Sequence, residues 1–275
     1  QMESFLHFFC TFATTYTTIM TNIDNSQNLT FWEHLDVLRG SLIRIVIITA
    51  VCGIAAFCFK DEMFAIVLAP KSSQFPLYRL MDIGTFDIPL VNVGLTEQFM
   101  IHMKTAFSFG LLAASPYILY ILYRFISPAL YQHERHYAVR IVGGGYIMFI
   151  LGVVVNYAVI FPLTVRFLGT YQVSDSVGNM LTLQSYMDTL LTMSIVFGIV
   201  FEIPVISWLL ALFGLIRAQW MRQYRRHAIV AVLIVAAIIT PTTDVFTLTL
   251  VSLPIWLLYE ASIVIVAYTR KIRQS

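Results

Sequence analysis

Charged residues are scarce in this chain: Asp, Glu, Lys and Arg together make up 12% of its 275 residues. A typical soluble domain carries about 25%. Hydrophobic residues make up 59%, more than a domain in water can bury, whereas a membrane protein exposes such residues to lipid. The small net charge of +2 also argues against a nucleic-acid partner. The composition therefore predicts a polytopic membrane protein that does not bind nucleic acid.

Cysteine is rare as well, and its three copies predict no disulfide framework. Cys52 and Cys58 lie on one apolar run, too far apart along a helix for a bridge. We expect them to be small hydrophobic residues packed between helices.

Patterns typical of intramembrane enzymes are missing too. Ser115 is followed by Pro116, and the only histidine near a span on the outer half is His102. No paired aspartates fall in facing apolar runs. His133 and His136 lack the spacing of a helical zinc motif, and no further Cys or His lies nearby. We therefore expect no catalysis, no metal site and no cofactor.

Long apolar runs, by contrast, are abundant. A helix of about 20 residues crosses a hydrocarbon core of roughly 30 Å, and four of the six runs reach or approach that length. The fifth is shorter because Arg226 and Thr240 bracket it, and Pro254 and Glu260 interrupt the sixth. The six runs are Ser41–Phe59, Thr105–Tyr123, Ile141–Phe161, Thr189–Phe213, Ala228–Ile239 and Leu248–Tyr268.

The last two runs are predicted to form a hairpin of short fifth and sixth helices. Pro241 and the following Thr242, Thr243 and Asp244 are typical of a compact turn. A single re-entrant element is the alternative. The sequence thus predicts an all-α membrane protein with six transmembrane helices.

Lys and Arg are distributed unevenly between the two sides of such a protein. With six spans, twelve of the 17 basic residues fall on one side and five on the other. Basic residues are enriched in cytoplasmic loops, so both termini are predicted to lie in the cytoplasm. An odd number of spans would scramble this partition.

Residues 1–19 differ from the rest of the chain. They carry none of the basic residues that precede the apolar run of a signal peptide. We expect them to be a non-native or disordered leader, with Met20 as the natural start, and residues 20–275 to form a single transmembrane domain. The larger outer loop, Lys60–Thr96, mixes prolines with hydrophobic residues and is predicted to be an ordered cap.

Glu202 lies inside the fourth apolar run, two residues before Pro204. A charge at the centre of a bilayer costs about 2.5–3.5 kcal/mol on insertion scales, so such a residue usually faces a cavity or a partner. Three interpretations stay open: a protonated or paired structural acid, a site for a polar partner helix, and a proton relay. The lack of further acids or histidines makes the relay the weakest. Pro204 frees a backbone carbonyl and can kink the helix.

A polar stretch, Ile126–Tyr137, separates the second and third runs. It presents Glu134 beside Arg135 and between two histidines. A solvated loop with an internal ion pair and an acidic subsite for a basic peptide fit it equally well, since a carboxylate binds a guanidinium group bidentately.

Several motifs follow one another in a specific order. They are Phe31–Arg39, Leu95–Phe99, Ser115–Tyr120, Phe125–Arg135, Phe197–Pro204, Tyr224–Ala228, Thr240–Pro241 and Pro254–Glu260. Through them the chain, from about Thr30 to Tyr268, resembles the TatC family, the multi-spanning receptor subunit of the twin-arginine protein translocase. One motif would be weak support, whereas all of them in sequence are highly specific.

The resemblance implies a six-helix cupped bundle in the cytoplasmic (inner) membrane, with both ends in the cytoplasm. It implies a receptor, not an enzyme. Such a receptor recognises Arg-Arg signal peptides of folded cargo and, with small single-span TatA-type and TatB-type subunits, forms a passage driven by the proton-motive force. Other copies of the chain and the lipid bilayer are further expected partners.

Matching motifs carry the family's functional positions onto this chain. Glu134 matches the acid that helps to hold the twin arginines, with Phe125, Pro128 and Arg135 in the same stretch. Glu202 matches the cavity acid of the fourth helix. The other matched residues are Pro204, Thr240 and Asp244 at the membrane cavity or partner surface, and Pro70, Glu97 and Pro116 as structural positions.

Two departures from the family pattern affect these assignments. Val37 stands where the family usually has Glu, and we expect Glu33, one helical turn earlier, with Asp36 to take over its role. The turn from Thr240 is one residue longer than usual, and Leu248 stands where some relatives have a polar residue. The family pattern therefore does not predict how partner helices dock on this turn.

Two other classes compete with the receptor. A secondary transporter with Glu202 as its coupling acid would be expected to show internal repeats and helices broken at mid-membrane, and neither is visible in the sequence. An intramembrane hydrolase lacks a nucleophile and base pair. The receptor is therefore the favoured interpretation.

Overall fold

Helices account for nearly all of the chain that the structure describes. The computed structural model describes residues 31–81, 88–126, 138–171, 174, 180–240 and 244–274. The helices are α1 Phe31–Phe57, α2 Lys60–Leu68, α3 Pro76–Leu80, α4 Glu97–Ile126, α5 Ala138–Val155, α6 Phe161–Thr170, α7 Leu183–Val200, α8 Ile203–Leu212, α9 Ala218–Gln223, α10 Arg225–Ile239 and α11 Val245–Gln274.

Four short elements complete the description. A 3₁₀ turn, Ala69–Lys71, follows α2, and a π-helical turn, Asn156–Ile160, joins α5 to α6. The two-residue strands β1 (Leu90–Val91) and β2 (Leu181–Thr182) pair in parallel. The predicted cap between Lys60 and Thr96 therefore does contain regular structure.

Five helical stretches in the described ranges are long and apolar enough to cross a membrane. They are Leu35–Phe57, Glu97–Tyr123, Val142–Thr170, Leu183–Leu212 and Val245–Thr269. The predicted all-α polytopic membrane fold is thus confirmed. α10 has 15 residues, about 22 Å of helix, which confirms a short fifth helix. Its status as a sixth span, and the orientation of the termini, stay predictions.

The sixth predicted helix is longer than expected. α11 runs for 30 residues, from Val245 to Gln274, with Pro254 in its interior. Pro254 removes one backbone donor, but a helix held by its neighbours tolerates this loss. The helix also continues beyond Tyr268, where the apolar run ends, into a polar segment that reaches Gln274. The prediction of a short sixth helix is therefore wrong.

A serine compensates for the proline inside α4. Pro116 has no N–H, so the carbonyl of Leu112, four residues earlier, loses its usual helical donor. The Ser115 hydroxyl donates to this carbonyl at 2.7 Å. The Ser-Pro pair thus preserves a continuous helix of 30 residues.

Two compact units divide the chain, Gln1–Gly40 and Ser41–Ser275. Within the second unit, α5 packs on α7, and α11 packs on α8 and α10. The centre of its core contains fully buried apolar side chains: Ile101, Phe161, Tyr186, Met187, Met193, Phe197 and Ile255. Large apolar side chains of α1, such as Val46 and Ile54, are exposed, as expected for a surface in contact with lipid.

Three tyrosine hydroxyls hold the segment that contains α2 and α3. Tyr157 donates to the carbonyl of Ile66 at 2.6 Å, and Tyr186 donates to the carbonyl of Val67 at 2.9 Å. The hydroxyl of Tyr78 lies 3.0 Å from the carbonyl of Pro70 and 2.8 Å from that of Pro162. Because the last carbonyls of a helix lack intrahelical donors, these hydroxyls fix the end of α2 to the helices around it.

Candidate functional site

Glu202 stands at a break in the fourth span. A turn at Phe201 and Glu202 separates α7 from α8, and Pro204 lies in the first turn of α8. Pro204 offers no N–H to the carbonyl of Val200, its α-helical acceptor four residues earlier. The Glu202 N–H bonds the Ile199 carbonyl at 3.1 Å, so α7 and α8 follow one another through a tight turn, within the single apolar stretch Leu183–Leu212. The kink suggested by Pro204 stays a prediction.

The carboxylate of Glu202 is buried and incompletely satisfied. The residue is 8% exposed, and its Oε1 atom has no hydrogen-bond partner in the described part of the chain. A buried acceptor without a partner costs roughly 1–3 kcal/mol. Such an acceptor can take a hydrogen bond from an incoming group, or carry a proton itself.

Glycines bring α5 close to this carboxylate. A Cβ atom placed on Gly145 would lie 3.1 Å from Glu202 Oε2, and one on Gly152 would lie 2.5 Å from the Phe197 carbonyl oxygen. One on Gly198 would meet the ring of Phe149 at 2.6 Å. Small residues allow such close helix packing in membranes. Sequence reasoning missed Gly145, whose only signal was its place in a run of three glycines.

Glu97 joins two helix ends. Its Oε2 atom accepts hydrogen bonds from the N–H groups of Val93 (3.1 Å) and Gly94 (2.8 Å), and Oε1 accepts one from Gln184 at 2.8 Å. Gln184 lies in the first turn of α7, whose leading N–H groups lack helical partners. The Glu97 carboxylate by itself therefore fixes the start of α4 to the start of α7. This geometry fits the structural role predicted for Glu97.

Two of the predicted partner-surface residues lie at the turn between α10 and α11. Thr240 ends α10, is buried, and donates its hydroxyl to the Ala236 carbonyl at 2.9 Å. Asp244 accepts the N–H of Thr247 at 2.7 Å through Oδ2 and so caps the start of α11. Residues 241–243 lie outside the described ranges. The hydroxyl of Thr247 is fully buried and lacks a hydrogen-bond partner among the described residues.

A polar groove opens between α7 and α10, beside this turn. Its volume is about 450 Å³. Its walls include Ser185, Asp188, Thr189 and Thr192 of α7, and Ile239 of α10. The groove offers hydroxyl and carboxylate groups next to apolar surface, a combination that suits a polar side chain carried by an apolar helix.

The predicted residues for peptide binding are only partly described. Asp36 is exposed on α1, Val37 is 43% exposed, and Phe125 is partly buried near the end of α4. Glu33 lies in the first turn of α1. Glu134, Arg135 and Pro128 lie outside the described residues, as do residues 1–30.

Comparisons with known proteins agree on one family. The family model described as "Sec-independent protein translocase protein (TatC)" matches residues 33–254. TatC of Koribacter versatilis is 34% identical over 86% of this chain and 84% of its own length, and TatC of Deinococcus radiodurans is 33% identical over 85% and 84%.

Solved structures give the same result. A crystal structure of the twin-arginine translocase receptor TatC superposes with a TM-score of 0.74 at 32% identity, covering 86% of this chain and 99% of that chain. A second TatC crystal structure, in the detergent DDM, gives a TM-score of 0.73. The matched residues include the whole of α2 to α10 and the turn at Glu202. The chain therefore belongs to the TatC family of Sec-independent protein translocase proteins.

Proposed function

We propose that this chain is the receptor subunit of a twin-arginine translocase. It binds Arg-Arg signal peptides of folded proteins and, with TatA-type and TatB-type single-span subunits, exports that cargo using the proton-motive force. It does so in the inner membrane with both termini in the cytoplasm, together with other copies of itself. The observation that carries the proposal is membership of the TatC family, a solved member of which is described as a receptor.

Acidic residues at the cytoplasmic surface are proposed to bind the two arginines of the signal peptide. Glu134 supplies one carboxylate, with Phe125, Pro128 and Arg135 around it. Glu33 and Asp36 on α1 supply the second in place of the acid absent at Val37. Support for this replacement comes from α1 itself, because residues four apart share one helix face and both Asp36 and Val37 are exposed.

Charge reversal tests this replacement. Glu33→Lys should weaken binding of an Arg-Arg peptide to the full chain in lipid nanodiscs at least tenfold, because a repulsive charge replaces a bidentate acceptor. Glu62→Lys, at an exposed position of α2, is the matched control and should bind like the wild type. Equal affinities for the wild type and Glu33→Lys would contradict the assignment.

Within the bilayer, Glu202 is proposed to receive a polar group of a partner helix or of the signal peptide. Its buried, unpartnered Oε1 atom supports this interpretation. Pro204, Thr240 and Asp244 are proposed to shape the same partner surface, and the groove beside α10 extends it. Glu202→Gln should lower export of a folded reporter at least fivefold, while insertion of the chain into the membrane stays unchanged.

The short fifth helix is proposed to deform the bilayer around it. Its 15 residues give about 22 Å against a core of roughly 30 Å, and such mismatch is relieved by local thinning. Inserting four apolar residues after Val235 should therefore reduce export severalfold. The same four residues inserted after Val264 of the longer α11 serve as the control. Unchanged export by the lengthened α10 would show that mismatch does not matter.

A further inference from the structure

We propose that Gly145 is a positioning residue for the Glu202 carboxylate. The missing side chain at position 145 leaves the space in which the Glu202 carboxylate lies against α5. This inference rests on the proposed role of Glu202, and it adds a second residue that sets the geometry of that site.

Gly145 lies too close to Glu202 to carry a side chain without moving the carboxylate. A Cβ atom at this position would lie 3.1 Å from Glu202 Oε2, 3.4 Å from Oε1 and 3.7 Å from Cδ. The shortest of these is closer than an ordinary van der Waals contact. A methyl group at residue 145 would therefore displace the carboxylate by a few tenths of an ångström or force another rotamer.

The neighbouring glycines explain why the carboxylate, and not the helix, would have to move. Close contacts of Gly152 with the Phe197 carbonyl and of Gly198 with the Phe149 ring hold α5 against α7. Gly145, Phe149 and Gly152 follow one another at helical spacing along a single face of α5. The contacts of Gly152 and Phe149 with α7 therefore fix the register of the two helices. The contact of Gly145 is with the side chain of Glu202.

The chain supplies its own matched controls. Gly143 and Gly144 precede Gly145 in the same helix, and a Cβ atom on either would meet nothing within 4 Å. A Gly→Ala change at each of the three positions alters helix propensity equally. Only the change at 145 introduces a methyl group beside Glu202.

The reactivity of Glu202 toward the apolar reagent dicyclohexylcarbodiimide gives a direct readout. The full-length chain in lipid nanodiscs is labelled, and modification of Glu202 is followed by mass spectrometry. Gly145→Ala should change the labelling rate at least threefold, whereas Gly143→Ala and Gly144→Ala should stay within twofold of the wild type. Equal rates for all three variants would overturn the proposal.

Export in cells gives the second readout, through a compensating change. Gly145→Ala and Glu202→Asp should each reduce export of a folded Arg-Arg reporter. The double variant should export more than either, because the shorter acid leaves room for the methyl group. A double variant that exports less than both single variants would overturn the inference. If Glu202→Gln exports like the wild type while the labelling difference holds, the proposed role of Glu202 fails but the positioning by Gly145 stands.

Discussion

The Tyr157 hydroxyl donates to the carbonyl of Ile66, 91 residues away in the chain, at 2.6 Å. Ile66 lies four residues before Pro70, so the proline withholds the backbone donor that this carbonyl would otherwise receive. The Ala69 N–H also donates to the Ile66 carbonyl, in the three-residue spacing that is common at a helix end. Pro70 and Tyr157 therefore form one structural unit, in which a distant hydroxyl adds a second donor to a carbonyl that the proline deprives of its α-helical N–H.

This relationship predicts non-additive substitutions. Tyr157→Phe should lower the free energy of unfolding in detergent by about 1 kcal/mol, the usual net value of a hydrogen bond. In a Pro70→Ala background the loss should shrink to less than half, because the N–H of the introduced alanine then reaches the Ile66 carbonyl. Tyr259→Phe, which removes the bond to the Met221 carbonyl, is the control and should cost the same in both backgrounds. Equal losses for Tyr157→Phe would refute the coupling.

The Ser115 hydroxyl is predicted to matter more than that of Ser108, although both donate to carbonyls of α4. Ser115 serves Leu112, which Pro116 leaves without a backbone donor, whereas Ser108 bonds the Lys104 carbonyl in a regular helical turn. Ser115→Ala should destabilise the chain by roughly 1–3 kcal/mol, and Ser108→Ala by much less. Thermal unfolding of both variants in the same detergent measures the difference. Adding Pro116→Ala should restore most of the loss.

Glu97→Gln should weaken the hydrogen bonds that join the start of α4 to the start of α7. An amide keeps one acceptor oxygen but places an NH₂ group against backbone donors, so at least one of the three hydrogen bonds is lost. Hydrogen bonds to a charged group are stronger than those between neutral groups, so a measurable loss of unfolding free energy is expected. Glu62→Gln, at an exposed site, should leave stability unchanged. Similar stabilities for the two variants would contradict this role.

Alkaline pH should act on the chain through Tyr78. Burial raises the pKa of Tyr78, and the charge of Arg166 lowers it by less. The unfolded chain loses the phenolic proton near pH 10 while the folded chain keeps it. The contribution of Tyr78 to stability is therefore complete below about pH 10 and falls as the pH rises above it. Unfolding measured from pH 8 to 11 should show a smaller decline in Tyr78→Phe, whereas Tyr268→Phe, at an exposed site, should follow the wild type.

The helices were predictable because the bilayer imposes a simple rule on the sequence. Runs of apolar residues long enough to cross the core coincide with α1, α4, α5 with α6, α7 with α8, and α11. The short fifth helix was visible too, since Arg226 and Thr240 limit its run. The length of α11 was not, because Pro254 and Glu260 interrupt the apolar pattern while the helix continues through them.

The contacts that organise the site could not be predicted from local patterns. Glu97 bonds Gln184, 87 residues later, and Tyr186 bonds Val67, 119 residues earlier. Such pairs leave no periodic signal in one sequence. Glu202 was identifiable because an acid inside an apolar run is costly, but Gly145 carried no comparable cost and was found only through its distance to the carboxylate.

Selective cross-linking of an Arg-Arg peptide most directly tests whether this chain is a signal-peptide receptor. A photoreactive residue at position 134, in the full chain in its native membrane, should cross-link an Arg-Arg signal peptide at least tenfold more than the same peptide with Lys-Lys. A photoreactive residue at position 62 provides the background for both peptides. Equal capture of the two peptides at position 134, or capture no higher than this background, would contradict the receptor function.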